Sequence, residues 1–292
     1  MITTLPPKQF TTVKGHRLAH VEAGTGDPIV LLHGNPTSSY LWRDVMPALA
    51  GHGRVIAPDL IGHGDSDKLP ASEGPARYTL EGTYDLLEAQ LATLGADRRV
   101  TLVLHDWGTA LGFHWARLHS QQVRGIAYME GIVMPIASWD DWPENARGIF
   151  QGFRSPKGED LILKRNLFIE GVLPGAVLRK LTDEEMAAYR APFVQDEDRQ
   201  PMLNWPRQIP IAGEPAQVVA LVQQYADWLS TSSVPKLFVN ADPGSILVGA
   251  QREFCRTWPN QQEVTVPGLH FIQEDSGVAI GQAVAAWLSR IK

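Results

Sequence analysis

Short apolar runs recur through roughly the first 130 residues, each closed by Gly, Pro or Asp and each followed by a stretch of helical character. They fall at Pro28–Leu32, 54–57, 100–104 and 125–129. A strand that is apolar at every position has no face for solvent, so both of its sides must be covered. Such strands alternating with helices specify an α/β chain whose mostly parallel sheet is flanked by helices on both faces. Helices are expected over 40–50, 84–94 and 110–120. Ahead of them, 17–23 alternates in polarity as a half-exposed strand does, so the N-terminal edge of the sheet should be antiparallel.

The pattern then changes. Between 134 and 212 strand-like runs vanish, and Trp139, Trp142, Phe150, Phe153, Phe168, Phe193 and Trp205 appear among short helical pieces broken by Pro143, Pro156, Pro174 and Pro192. Strands resume at 236–240 and 263–266, and a final helix could place Val278, Val284, Trp287, Leu288 and Ile291 on one face. The economical reading is a core made of 1–133 and 213–292, interrupted by a helical cap at 134–212. The charge run 196–199 reads as a solvated loop, and no internal repeat is visible.

Composition removes several function classes. Thirty-two acidic against 26 basic residues give a net charge of −6, so no basic field draws the chain to nucleic acid or to an anionic membrane surface. The one cysteine, Cys255, can form neither an internal disulfide nor a cysteine-based zinc cluster. No run approaches the eighteen or so apolar residues of a membrane span, and the first ten residues hold two prolines and no signal-peptide core. The expectation is a cytoplasmic monomer, with the periplasm as the alternative compartment, that needs no metal or cofactor.

Reactive side chains in an open α/β sheet belong at the carboxyl ends of the strands. A serine nucleophile at a strand-to-helix elbow would announce itself as G-x-S-x-G, and this chain has no such motif. The elbow position is held by Asp106, directly after the run 100–104 and just before Gly108. A sharp elbow pushes its apex side chain into the open, and the N–H groups of the following helix stabilise an anion there. An ionised carboxylate so placed can attack a carbon bearing a leaving group and form an ester with the protein.

Hydrolysis of that ester needs a base. Of nine histidines, His270 alone occupies the loop after the last strand. His105 should point to the opposite side of its strand from Asp106, and His114 and His119, five apart, have poor metal-ligand spacing. The carboxylate that orients His270 is Glu130 or Asp242, both of which follow strands, and sequence order leaves that choice open. Beside Asp106, Trp107 offers an indole N–H and Asn35 an amide NH2, uncharged donors that both follow strands and can converge on a leaving group.

Taken together, His33-Gly34-Asn35-Pro36-Thr37-Ser38-Ser39-Tyr40-Leu41-Trp42-Arg43, Asp59-Leu60-Ile61-Gly62, His105-Asp106-Trp107-Gly108 and Glu130 resemble the haloalkane dehalogenases of the α/β-hydrolase fold. Leu173-Pro174-Gly175, Trp205-Pro206-Arg207, Ile211-Ala212-Gly213-Glu214-Pro215 and His270-Phe271-Ile272-Gln273-Glu274-Asp275 are similar to the branch containing the hexachlorocyclohexane-degrading enzyme. The resemblance implies a cap inserted after the sixth strand and nucleophilic displacement by Asp106 on a small apolar halogenated substrate. It further implies water activation by His270, with Glu130 as the triad acid. Halide, alcohol and a proton would be the products. It makes Asn35 and Trp107 the halide donors, and their backbone N–H groups are then the expected oxyanion hole.

A dry pocket is expected around Asp106, lined by Phe150, Phe168, Val172 and Ala176, by Pro206 and Ile209, and by Ile246 and Phe271 from the core. Two rival readings are an epoxide hydrolase using the same Asp-His pair and a non-catalytic ligand-binding protein on this scaffold. The first needs two cap tyrosines as acids, whereas the cap offers only Tyr189. The second would not need nucleophile, base and acid together.

Overall fold

The computed structural model describes residues 5–291. Its eight strands form one sheet in the order β1-β2-β4-β3-β5-β6-β7-β8. These are β1 (Gln9–Val13), β2 (His16–Ala23), β3 (Pro28–Leu32), β4 (Arg54–Pro58), β5 (Val100–Asp106), β6 (Val123–Gly131), β7 (Lys236–Pro243) and β8 (Gln261–Gly268). The pairs β1–β2 and β2–β4 are antiparallel and every other pair is parallel.

Alternation explains the continuous apolar runs. In β3, Ile29 and Leu31 join one buried layer with Val45, Met46 and Trp287, while Val30 and Leu32 join the other with Leu87, Leu111 and Phe113. Both faces of the strand are thus covered by helices.

Four features differ from the sequence expectations. Strand β1 was not foreseen, and 40–50 is not one helix but a 3₁₀ turn, Ser39–Trp42, followed by the short helix Met46–Leu49. Pro47 lacks the N–H that would bond back to Arg43, so a helix can begin there but cannot run through it. Two further helices, Ala216–Thr231 and Gly249–Arg256, carry no motif that marks them. In the last helix, Ile272–Leu288, Val284, Trp287 and Leu288 are buried but Val278 is 59% exposed. Helical steps bring Gly277, Ile280 and Gly281 to the packed face and turn Val278 away from it.

Between β6 and the helix Ala216–Thr231 the chain leaves the sheet. It forms the helix Glu144–Arg154, π-helical turns at Glu159–Lys164 and Phe168–Val172, and the helices Asp183–Arg190 and Gln200–Arg207. The charge run lies in a further 3₁₀ turn, Asp196–Arg199. The insertion is closed at its neck by a bridge between Ile136 and Ile211. Its own apolar cluster, including Phe153, Phe168, Leu173 and Met202, takes in Leu41 and Phe271 from the sheet side.

A buried ionic cluster also joins the two parts. Arg43 donates two 2.6 Å hydrogen bonds to Glu274 and one of 2.9 Å to Glu185, Arg179 bonds both carboxylates, and the Tyr189 hydroxyl bonds Glu274. Removing one partner from such a cluster leaves charge buried without compensation. Arg43→Met should therefore cost about 3 kcal/mol, near the low end for a broken buried pair because Arg179 and Tyr189 still hold Glu274. Urea unfolding measures this, and an unchanged midpoint would show that the cluster adds nothing to stability.

Candidate active site

Strand β5 ends on Asp106, and the helix Trp107–Leu118 begins at the next residue. The apex has φ 52° and ψ −128°, a conformation that ordinary residues avoid and that packing on both sides must enforce. Two glycines permit it. A Cβ at Gly108 would lie 2.2 Å from the Leu32 carbonyl oxygen, and one at Gly34 would lie 2.0 Å from Asp106 Oδ1. The Asn35 backbone N–H donates to Asp106 Oδ1 at 2.7 Å. Burial alone would raise the Asp106 pKa, but bonding to His270 and its nearby charge, with help from the Trp107 backbone N–H, outweigh that and hold it below its usual value.

His270 stands between two carboxylates. Its Nε2 is 3.4 Å from Asp106 Oδ2 and its Nδ1 is 3.4 Å from Glu130 Oε2. Burial would lower its pKa, yet the two carboxylates overcome this and raise it to about 9. Glu130, at the end of β6, also accepts the backbone N–H groups of Ser245 and Ile246 at 3.0 and 2.9 Å, so the same carboxylate anchors the loop after β7. Asp242 is exposed on β7, and among the described residues it has no bond to His270.

His105 is not idle. Its buried ring lies 4.8 Å from that of His270, and its Nε2 is 2.8 Å from the His270 carbonyl oxygen. Burial drives its pKa down to about 3, so it is neutral and can donate to that carbonyl, bracing the loop that carries His270. His119 pairs with Glu88, and His114 packs edge-on against Tyr84. Among the described residues no group of three or more His, Cys, Asp or Glu is arranged to hold a metal ion. No described helix is long and apolar enough to cross a membrane.

Above Asp106 lies a cavity of about 260 Å³ into which Asn35, Trp107 and His270 also project. Its walls include Phe150, Phe168, Val172 and Ala176, then Pro206 and Ile209, with Ile246 from the loop after β7. Phe271 does not line it. The residue after His270 turns its ring into the cap-side cluster, fully buried and 4.7 Å from the His270 ring, while its backbone N–H bonds the Ala176 carbonyl at 3.1 Å. Sequence reasoning missed the wall residue Ile132, just after β6, and also Trp142, Asn145 and Ile149, which lie in or beside the helix Glu144–Arg154. Only the aromatic density of that segment hinted at them.

A strand-to-helix elbow bearing Asp106 at the end of the fifth strand, a histidine after the eighth and a carboxylate at the end of the sixth match the layout of an α/β hydrolase. The α/β-hydrolase fold model matches residues 27–277. The chain is 59% identical over 286 residues to a haloalkane dehalogenase of Sphingobium indicum, covering 98% of this chain and 96% of that one. It is 51% identical to a haloalkane dehalogenase of Mycolicibacterium smegmatis, covering 97% and 91%. The crystal structure of the haloalkane dehalogenase DbeA from Bradyrhizobium elkani superposes with a TM-score of 0.92 at 43% identity, covering 97% and 98% of the two chains. The chain therefore belongs to the haloalkane dehalogenase family.

Proposed function

We propose that the protein hydrolyses small haloalkanes to an alcohol, a halide and a proton through a covalent alkyl ester of Asp106. The core 1–133 with 213–292 carries the chemistry, and the cap 134–212 closes the pocket over it. The observation that carries this reading is the carboxylate of Asp106 at a largely apolar cavity, with His270 between it and Glu130. At about 260 Å³ the cavity falls below the ~300–1,000 Å³ usual for drug-sized ligands, which suits a short substrate.

Oδ1 of Asp106 is held by the Asn35 N–H, and Oδ2, 3.4 Å from His270 Nε2, is the oxygen that attacks. It forms the new carbon–oxygen bond while the carbon–halogen electron pair leaves with the halide. Desolvation by the apolar walls strengthens the nucleophile. The Trp107 indole N–H and the Asn35 amide receive the halide as uncharged donors. His270 then takes a proton from water as the water attacks the ester carbonyl, and negative charge develops on the oxygen that faces the Asn35 and Trp107 backbone N–H groups. Collapse breaks the bond between the acyl carbon and the alkyl oxygen; the departing alkoxide takes a proton from the His270 imidazolium and leaves as the alcohol, and the regenerated Asp106 carboxyl releases the remaining proton to solvent.

Esterification also prepares the base. Once alkylated, Asp106 has no charge and no longer raises the His270 pKa, so the imidazolium gives up its proton more readily. The epoxide-hydrolase alternative is weakened further by Tyr189, whose hydroxyl is buried against Glu274 rather than presented to Asp106.

Mixing the protein with 1-bromobutane should release bromide steadily, and absence of release from any short bromoalkane would overturn the reading. Trp107→Leu and Asn35→Ala should each slow carbon–bromine cleavage by about 3 kcal/mol, as for loss of one oxyanion-hole donor. Single-turnover bromide release checks this, and unchanged rates in both variants would reject the halide assignment.

A further inference from the structure

His63 is a fully buried histidine in the turn after β4, and the mechanism above does not use it. Its Nε2 lies 3.4 Å from Asn35 Oδ1 and its Nδ1 lies 3.3 Å from the Ile61 carbonyl oxygen. The ring is packed between His33, at 5.5 Å between centroids, and the edge-on ring of Phe193, at 5.9 Å. Burial, reinforced by His33 and Lys68, keeps its pKa well below the ordinary range, so the ring is neutral.

A neutral imidazole has one N–H and one lone pair. His33 shows the locked case, because its Nε2 accepts the Leu60 N–H at 2.9 Å and its Nδ1 is therefore the protonated nitrogen that donates to the Gly34 carbonyl. His63 faces two oxygens and can donate to only one. With the proton on Nε2 it bonds Asn35 Oδ1, and the amide NH2 is left for the cavity. With the proton on Nδ1 it bonds the Ile61 carbonyl instead and presents a lone pair to Asn35. The amide then gains by flipping, which would turn its oxygen toward the anions.

We propose that His63 is a positioning residue for the halide site: its Nε2–H tautomer fixes the orientation of the Asn35 amide, so that N–H and not oxygen faces the halide. The inference rests on the proposed role of Asn35. Halide binding and the Nε2–H tautomer favour each other, since each stabilises the same amide orientation.

The test uses the whole protein labelled with ¹⁵N-histidine and titrated with sodium bromide, with the His63 ring signals identified by their loss in His63→Phe. Long-range ¹H–¹⁵N correlation spectra should show the Nε2–H form at bromide saturation. An Nδ1–H form or an imidazolium in the bromide complex would overturn the proposal, and the tautomer is read on the unsubstituted protein. Kinetically, His63→Phe should weaken bromide binding and slow single-turnover carbon–bromine cleavage, each by about tenfold, without slowing ester hydrolysis. His63→Gln, which retains an N–H donor, should recover much of both. Equal slowing of both steps would mark a merely structural residue and overturn the proposal. Asn35→Ala separates the two levels. If it leaves bromide binding intact, the halide role of Asn35 is wrong; if it weakens binding while His63→Phe does not, only the role of His63 is wrong.

Discussion

Asp106→Ala should eliminate halide release from haloalkanes, a loss of about 10⁴-fold or more, while the chain stays folded. The size of the effect follows from the cavity. Around it stand apolar walls, the donors Asn35 and Trp107, and His270, so no second carboxylate is positioned to attack in its place. Folding should survive because the Asp106 side chain faces the cavity rather than filling a packed core, and the neighbouring helix and strand are held by Gly108 against Leu32 and by the two apolar layers. The variant also removes the acceptor for the Asn35 N–H and one of the two carboxylates that raise the His270 pKa. Its His270 should therefore titrate lower than in the parent chain, a shift that histidine NMR would read. Halide release above the no-protein background by the folded variant would sink Asp106 as nucleophile.

His270→Phe should produce the second large effect, of a different kind. Displacement of halide by a carboxylate requires no proton transfer, whereas attack of water on the ester does. The variant should release about one halide per active site and then stop. Glu130→Gln should share much of that defect, because a neutral amide stabilises the imidazolium poorly and holds the loop at Ser245 and Ile246 less well. Asp242→Asn should turn over almost normally, given its exposed position on β7. In the parent chain the ester-hydrolysis step should accelerate as pH rises through the His270 pKa of the ester state. That pKa must lie below the value of about 9 that two charged carboxylates impose in the free protein. Stopped-flow halide release across pH separates the two steps. A stalled Asp242 variant with a normal Glu130 variant would reverse the choice of acid.

The sequence carried the parts of this arrangement that depend on local chemistry. Strand β3 is apolar throughout and β5 is apolar over 100–104 except at Thr101, and an aspartate between such a run and a helix has few other reasons to be there. Strand β1 escaped notice because Gln9, Phe10 and Thr12 are exposed and its pairing partner, β2, supplies the order. Phe271 was misjudged since adjacency to His270 in the chain does not give adjacency in the cavity: neighbouring side chains on a turn point in different directions. The Arg43–Glu274 pair spans 231 residues, and no periodicity signals a contact of that range. His63 lay in the same category, as its meaning depends on which atom of Asn35 it meets.

The covalent ester can be weighed directly. His270→Phe is mixed with 1-bromobutane, quenched, and examined by intact-mass and peptide mass spectrometry beside the unreacted chain. The chain should be heavier by one butyl group, with the added mass confined to the peptide containing Asp106 and one bromide released for each modified chain. A chain of unchanged mass after stoichiometric bromide release, or a butyl group carried on any residue other than Asp106, would contradict it.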